Sequence, residues 1–155
     1  MEQVLRVLAD TKLDPKALKL EVTESVLMDD ANTAVTVLEQ LRSQGIGVHL
    51  DDFGTGSSSL SYLHTLPLDV IKIDRAFIRD LATDPSYATT IKAISTLAQA
   101  RKMRVVAEGV ETPEHVAQLQ SMGCDLGQGY YYAKPLDPDA AMALLQQGGK
   151  WAKAG

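Results

Sequence analysis

Apolar residues along the chain follow two alternating patterns. Short, largely apolar runs read as strands: LKLEV at Leu18–Val22, IGVHL at Ile46–Leu50, DVIKI at Asp69–Ile73 and RVVAE at Arg104–Glu108. Between them the apolar positions recur at helical spacing. Ala34, Val37, Leu38 and Leu41 define a helix that Asp29 and Asp30 can cap and Gly45 can stop. Ser57 to Ser59 can open a short helix carrying Leu60, Leu63 and Leu66, closed by Pro67. A longer helix follows Pro85, with Tyr87, Ile91, Ile94 and Ala98 on one face. Thr112 and Pro113 form a cap and first-turn pair for a helix that ends near Gly123. A fifth strand is expected around Gly129 to Ala133, and Asp137-Pro138 starts a C-terminal helix containing Met142, Leu144 and Leu145.

Strands that alternate with helices in this way form βα units on a parallel sheet. The polar residues of these strands are not scattered. Glu21, Asp51, Asp52, Lys72, Asp74 and Glu108 stand at or near the strand ends that lead into helices, and Gln128 stands at the start of the fifth strand as bounded above. The C-terminal edge of a parallel sheet is where βα barrels and open α/β sheets bind ligands. A closed barrel needs eight strands and about 250 residues. The expected fold class is therefore α/β, a TIM-like βα barrel represented by about five βα units.

Composition narrows the function. The 155 residues are 45% hydrophobic and 23% charged, in the range of one globular domain. A net charge of −5 argues against a DNA or RNA polymer as partner. Cys124 is the only cysteine, which excludes an internal disulfide and a thiolate zinc site and fits a reducing cytoplasm. The first residues, MEQVLRVLAD, lack a signal-peptide core, and no apolar run approaches a membrane span.

Carboxylates converging without His or Cys select hard cations such as Mg²⁺, Mn²⁺ or Ca²⁺. Glu21, Asp51, Asp52 and Glu108 can form such a site. Adjacent Asp residues on a strand normally face opposite ways, so both reach one ion only if the second lies on a bend, for which Phe53-Gly54 is the candidate. Lys72 lies between apolar residues in IKID, where an unpaired ammonium is costly, so it needs carboxylate partners. Each residue alone has a plainer reading, a turn for the Asp pair and a salt bridge for the Lys, but strand ends in succession carry them. His49 reads as a packing or surface residue, and His64 and His115 lack ligand spacing. Tyr130, Tyr131 and Tyr132 read as strand core or rim, and Gly54-Thr55-Gly56 as a mobile loop rather than a phosphate cradle.

EVTES (Glu21 to Ser25), DDFGTG (Asp51 to Gly56), PLDVIKID (Pro67 to Asp74), VVAEGVET (Val105 to Thr112) and QGYYYAKP (Gln128 to Pro135) resemble, in order, the motifs of the EAL-type cyclic di-GMP phosphodiesterases. The resemblance implies a βα barrel that uses two Mg²⁺ or Mn²⁺ ions to hydrolyse cyclic di-GMP to linear pGpG. It implies Glu21 and Asp51 as ligands of a first metal, with Asp51 bridging to a second that Asp52 also holds. Lys72 would position the attacking water, Glu108 would activate it or hold the second metal's water, and Gln128 would support the site. Thr23 and Glu24 would anchor the loop after DDFGTG, which in the family also bears on dimerisation. This chain departs from the family pattern at Ser57, where an aromatic is usual, and the Glu-Ala-Leu motif is absent from it. The expectation is thus the C-terminal part, residues 1–155, of a single EAL-type domain, fused to or derived from a larger signalling protein. Alone it would bind metal with little turnover. The alternative is a degenerate module that binds cyclic di-GMP or a protein partner without catalysis.

Overall fold

A computed structural model describes residues 2–54, 63 and 65–146, without side-chain detail at 28, 29, 31 and 32. The expected helix start at 57–60, the loop at 55–56 and His64 lie outside the described residues. In chain order the elements are α1 (Glu2–Thr11), a 3-10 turn (Pro15–Ala17), β1 (Lys19–Thr23), α2 (Glu24–Asp29), α3 (Ala31–Ser43), β2 (Gly47–Phe53), β3 (Val70–Ile73), α4 (Arg75–Arg79), α5 (Pro85–Ala100), β4 (Arg104–Glu108), α6 (Pro113–Ser121), β5 (Leu126–Gln128) and α7 (Pro138–Gln146).

The five strands pair in parallel in the order β1-β2-β3-β4-β5. Among the described residues the sheet does not close, and β1 and β5 are its edges. Register places Val48 and Leu50 beside Ile71, Ile73, Val105 and Ala107 on one face, and all six are buried. Leu38 and Leu41 of α3 and Ile91, Ile94 and Ala98 of α5 belong to the same core. Each such Leu or Ile contributes about 1.5–3 kcal/mol. The opposite face carries Glu21, His49, Asp51, Lys72, Glu108 and Gln128, so helix packing anchors one side of the sheet and leaves the other for chemistry.

Short oxygen-bearing side chains fix where helices start. Asp30, Asp74, Asp84 and Thr112 accept hydrogen bonds from Thr33, Ala76, Ser86 and His115 backbone N–H groups at the heads of α3, α4, α5 and α6. Asp137 does the same for Ala140 in α7. A second device recurs at strand starts: Asp69 Oδ2 accepts from Val48 N at 2.9 Å, and Asp125 Oδ2 from Val105 N at 2.8 Å.

The fifth strand differs from the expected one. It is Leu126–Gln128, and Gly129 to Ala133 form a turn in which Tyr132 N and Ala133 N both donate to Gly129 O. The turn is forced by a close approach. A Cβ at Gly129 would lie 2.1 Å from Val110 O, so the chain crosses the β4 exit loop at backbone contact. Tyr130 is 54% exposed, and Tyr131 and Tyr132 meet edge to face at 5.2 Å, outside any strand.

Candidate active site

Lys72 is the centre of the open face. It sits in β3, whose four residues are all buried, and is itself 5% exposed. Its ammonium is held from both sides: Nζ lies 2.8 Å from Glu21 Oε1 on β1, 3.0 Å from Asp51 Oδ1 on β2 and 2.8 Å from Glu108 Oε1 on β4. Burial pulls the Lys72 pKa down, but hydrogen bonding to Glu108, Glu21 and Asp51 outweighs it and the net shift is upward. Lys72 is a fixed cation at neutral pH and cannot act as a general base.

Asp52 joins this group by a different route from the bend expected at Phe53-Gly54. The β2–β3 register shifts between Leu50 and Phe53, and Asp52 adopts φ 53°. This left-handed conformation costs a non-glycine residue about 1–2 kcal/mol, least for Asp and Asn. It cancels the strand alternation: Asp51, Asp52 and Glu108 each offer an oxygen within 4.8 Å of the others. Glu21 contacts Lys72 but lies outside that three-carboxylate group.

The remaining expected residues are spread more widely. Gln128 ends β5 rather than beginning a strand, opposite Glu108 in the register. Its carbonyl accepts from Val110 N at 3.0 Å, and its exposed side chain stands beside a cleft of about 570 Å³ that Tyr132 and Ala133 also line. Thr23 precedes α2 with its hydroxyl 3.3 Å from that of Ser25, and Glu24 opens that helix. The loop they were expected to anchor falls largely outside the described residues. His49 is partly buried, its pKa lowered by that burial, and its Nε2 is buried without a hydrogen-bond partner among the described residues. His115 serves the head of α6, where its Nδ1 accepts from Glu111 N. Burial pushes the Cys124 thiol up, which makes it a poor nucleophile. Sequence reasoning grouped Asp74 with the strand-end acids; its side chain instead caps α4.

The donor set suits a hard divalent cation. All its atoms are carboxylate oxygens, and Asp51 Oδ1 is buried 3.0 Å from Lys72 Nζ. Asp51, Asp52 and Glu108 could hold an ion together, with Glu21 at the flank.

Known proteins bear on this geometry. The EAL domain family model matches residues 1–135. The cyclic di-GMP phosphodiesterase NbdA of Pseudomonas aeruginosa is 44% identical over 142 residues, 92% of this chain and 18% of NbdA. The structure of the PaMucR phosphodiesterase in complex with c-di-GMP aligns with TM-score 0.86 and 42% identity, covering 90% of this chain and 57% of that one. Klebsiella pneumoniae BlrP1, in a manganese/cy-diGMP complex, aligns with TM-score 0.80 and 33% identity over 86% of this chain and 34% of its own. The chain spans about a fifth to a quarter of the length of the first curated relatives it matches. Among the described residues no helix is long and apolar enough to cross a membrane.

Proposed function

We propose, from the premise that this chain belongs to the EAL domain family, that its strand-end site hydrolyses one phosphodiester bond of cyclic di-GMP to give linear pGpG. One observation carries the reading: a buried Lys72 gripped by Glu21, Asp51 and Glu108, with Asp52 turned out of strand geometry into the same group. Two ions, Mg²⁺ or Mn²⁺, held by Glu21, Asp51, Asp52 and Glu108, would supply an acidified water and neutralise charge on the phosphate. The chain's own groups do the rest. Lys72, permanently protonated, orients the carboxylates around the attacking water. Glu108 takes the water's proton as oxygen attacks phosphorus, the bond from phosphorus to the ribose 3′ oxygen breaks, and that proton passes on to the leaving 3′ oxygen, while the Gln128 amide steadies the substrate from β5. We read the chain as one contiguous part of an EAL-type domain within a larger signalling protein, supported by the share of its relatives that it spans.

A second reading, binding without turnover, is favoured by the open sheet. The site face is not enclosed, Glu21 is 47% and Leu126 46% exposed, and poor water exclusion weakens electrostatic catalysis. Calorimetry with cyclic di-GMP and Mn²⁺, together with chromatography of pGpG, separates the readings. We expect binding, slow pGpG release, a loss of metal affinity of about 10-fold or more in Asp51→Asn, and no product from Lys72→Ala. Binding with no pGpG from the parent chain establishes the second reading. Parent-level turnover by Lys72→Ala removes Lys72 from the mechanism, and absence of binding refutes both.

A further inference from the structure

The sheet has a second mouth. At the edge where the strands begin, Lys19, Arg42, His49, Asp69 and Arg104 line a cavity of about 220 Å³ together with backbone at Gly45 and Gly47. Gly47 and Asp51 are four residues apart on β2, so this cavity and the carboxylate group stand about 13 Å from each other. Three cations face one acid here, although the chain as a whole carries a charge of −5.

The acid is already committed. Asp69 Oδ1 pairs with Arg42 Nη2 at 2.9 Å, and Oδ2 accepts from Val48 N at 2.9 Å. Asp69 therefore neutralises Arg42 and leaves Lys19 and Arg104 uncompensated. Lys19 Nζ donates to Lys16 O at 2.6 Å and has donors to spare. Its stem lies across the start of β2, a path open only because residue 47 is glycine: a Cβ there would be 2.5 Å from Lys19 Cδ. Arg104 is exposed where it lines the cavity, and His49 Nε2 is enclosed by protein without a hydrogen-bond partner among the described residues. Cationic donors collected in a concave site whose one acid is already engaged call for an anion, and a guanidinium fork matches phosphate oxygens two at a time. Ligand pockets for whole organic molecules run to about 300–1,000 Å³, so a cavity of this size suits the phosphoryl group alone, with any sugar or base left outside.

We propose that this cavity binds a phosphate dianion, free or as the terminal group of a nucleotide, between Lys19 and Arg104 and beside the His49 ring. The site is independent of the strand-end chemistry. The test is calorimetric titration of the 155-residue chain with inorganic phosphate at low ionic strength, with EDTA present so that the strand-end acids hold no cation. The His49 ring resonances are followed by NMR in the same titration. We expect saturable binding at millimolar concentration or below, a shift of the His49 signals, and about tenfold weaker binding in R104Q and in K19Q. R104K, which keeps the charge but loses the fork, should fall between the parent and R104Q, and circular dichroism verifies that each variant is folded. A nucleoside monophosphate binding as tightly as phosphate assigns the free anion; tighter binding assigns a nucleotide's terminal phosphate. Absence of saturation, or parent-level affinity in folded R104Q and K19Q, overturns the proposal.

Discussion

Replacing Lys72 by Met keeps the length of the side chain and removes its charge from the centre of three carboxylates. Each pair, at 2.8–3.0 Å, is worth about 6 kcal/mol at an effective dielectric of about 20. Mutual repulsion of the three acids gathered around one Nζ cancels about half of that, and burying the ammonium consumes several kcal/mol more. Breaking a fully buried pair costs about 3–5 kcal/mol, but Glu21, Asp51 and Glu108 are 47%, 21% and 18% exposed and can rehydrate. We therefore expect Lys72→Met to lose about 1–3 kcal/mol at pH 7, a fall in Tm of about 3–10 °C for a chain of this size. The folded pKa of Lys72 lies above its ordinary value of 10.5, so this contribution is complete below that pH and is lost as pH rises through the folded value. Thermal melts by circular dichroism at pH 7 and pH 9 should thus show the same gap between parent and variant. An unchanged or higher Tm in Lys72→Met, or a gap that closes between those pH values, would refute the reasoning.

Gly129→Ala places a methyl group 2.1 Å from Val110 O and 2.3 Å from Val110 N, backbone atoms that cannot yield, and should cost about 3 kcal/mol. Gly127→Ala meets only side-chain atoms, of Tyr132 and Val110, and should cost much less, a contrast read from paired melts. The unpaired edges of β1 and β5 should make the chain self-associate, visible as concentration-dependent sedimentation; a strictly monomeric sample with a sharp cooperative melt would contradict this.

Four of the five strands are legible because strands buried by helices read as apolar runs. β5 is not: LGQ is three exposed residues at an open edge, whereas GYYYA has strand-like composition and forms a turn. Aromatic β-propensity reflects burial on a pleated surface, which these tyrosines do not have. The helices α2 and α4, of six and five residues, are too short for periodicity to register. At the site, spacing along the chain was enough to group Glu21, Asp51, Lys72 and Glu108. The left-handed turn at Asp52 was not readable, because it depends on a register shift against β3, a contact far away in sequence.

The exposures of the three carboxylates around Lys72 follow their place in the sheet. Asp51 and Glu108 belong to interior strands and are mostly covered, while Glu21 belongs to the edge strand β1 and is half in solvent. A side chain on an edge strand has packing on one flank only, so its rotamer is the least fixed of the three. A mobile ligand loses entropy on every ion it captures, which would make Glu21 the weakest ligand of the proposed metal site. Under the proposed function, metal affinity and the state of the β1 edge would then be coupled: whatever pairs with that edge, a second copy of the chain or further strands of a larger protein, would also steady Glu21. Cation binding should in turn favour the paired form by the same free energy, since such a coupling is reciprocal. The open sheet and the half-formed carboxylate site are for this reason a single feature of the molecule.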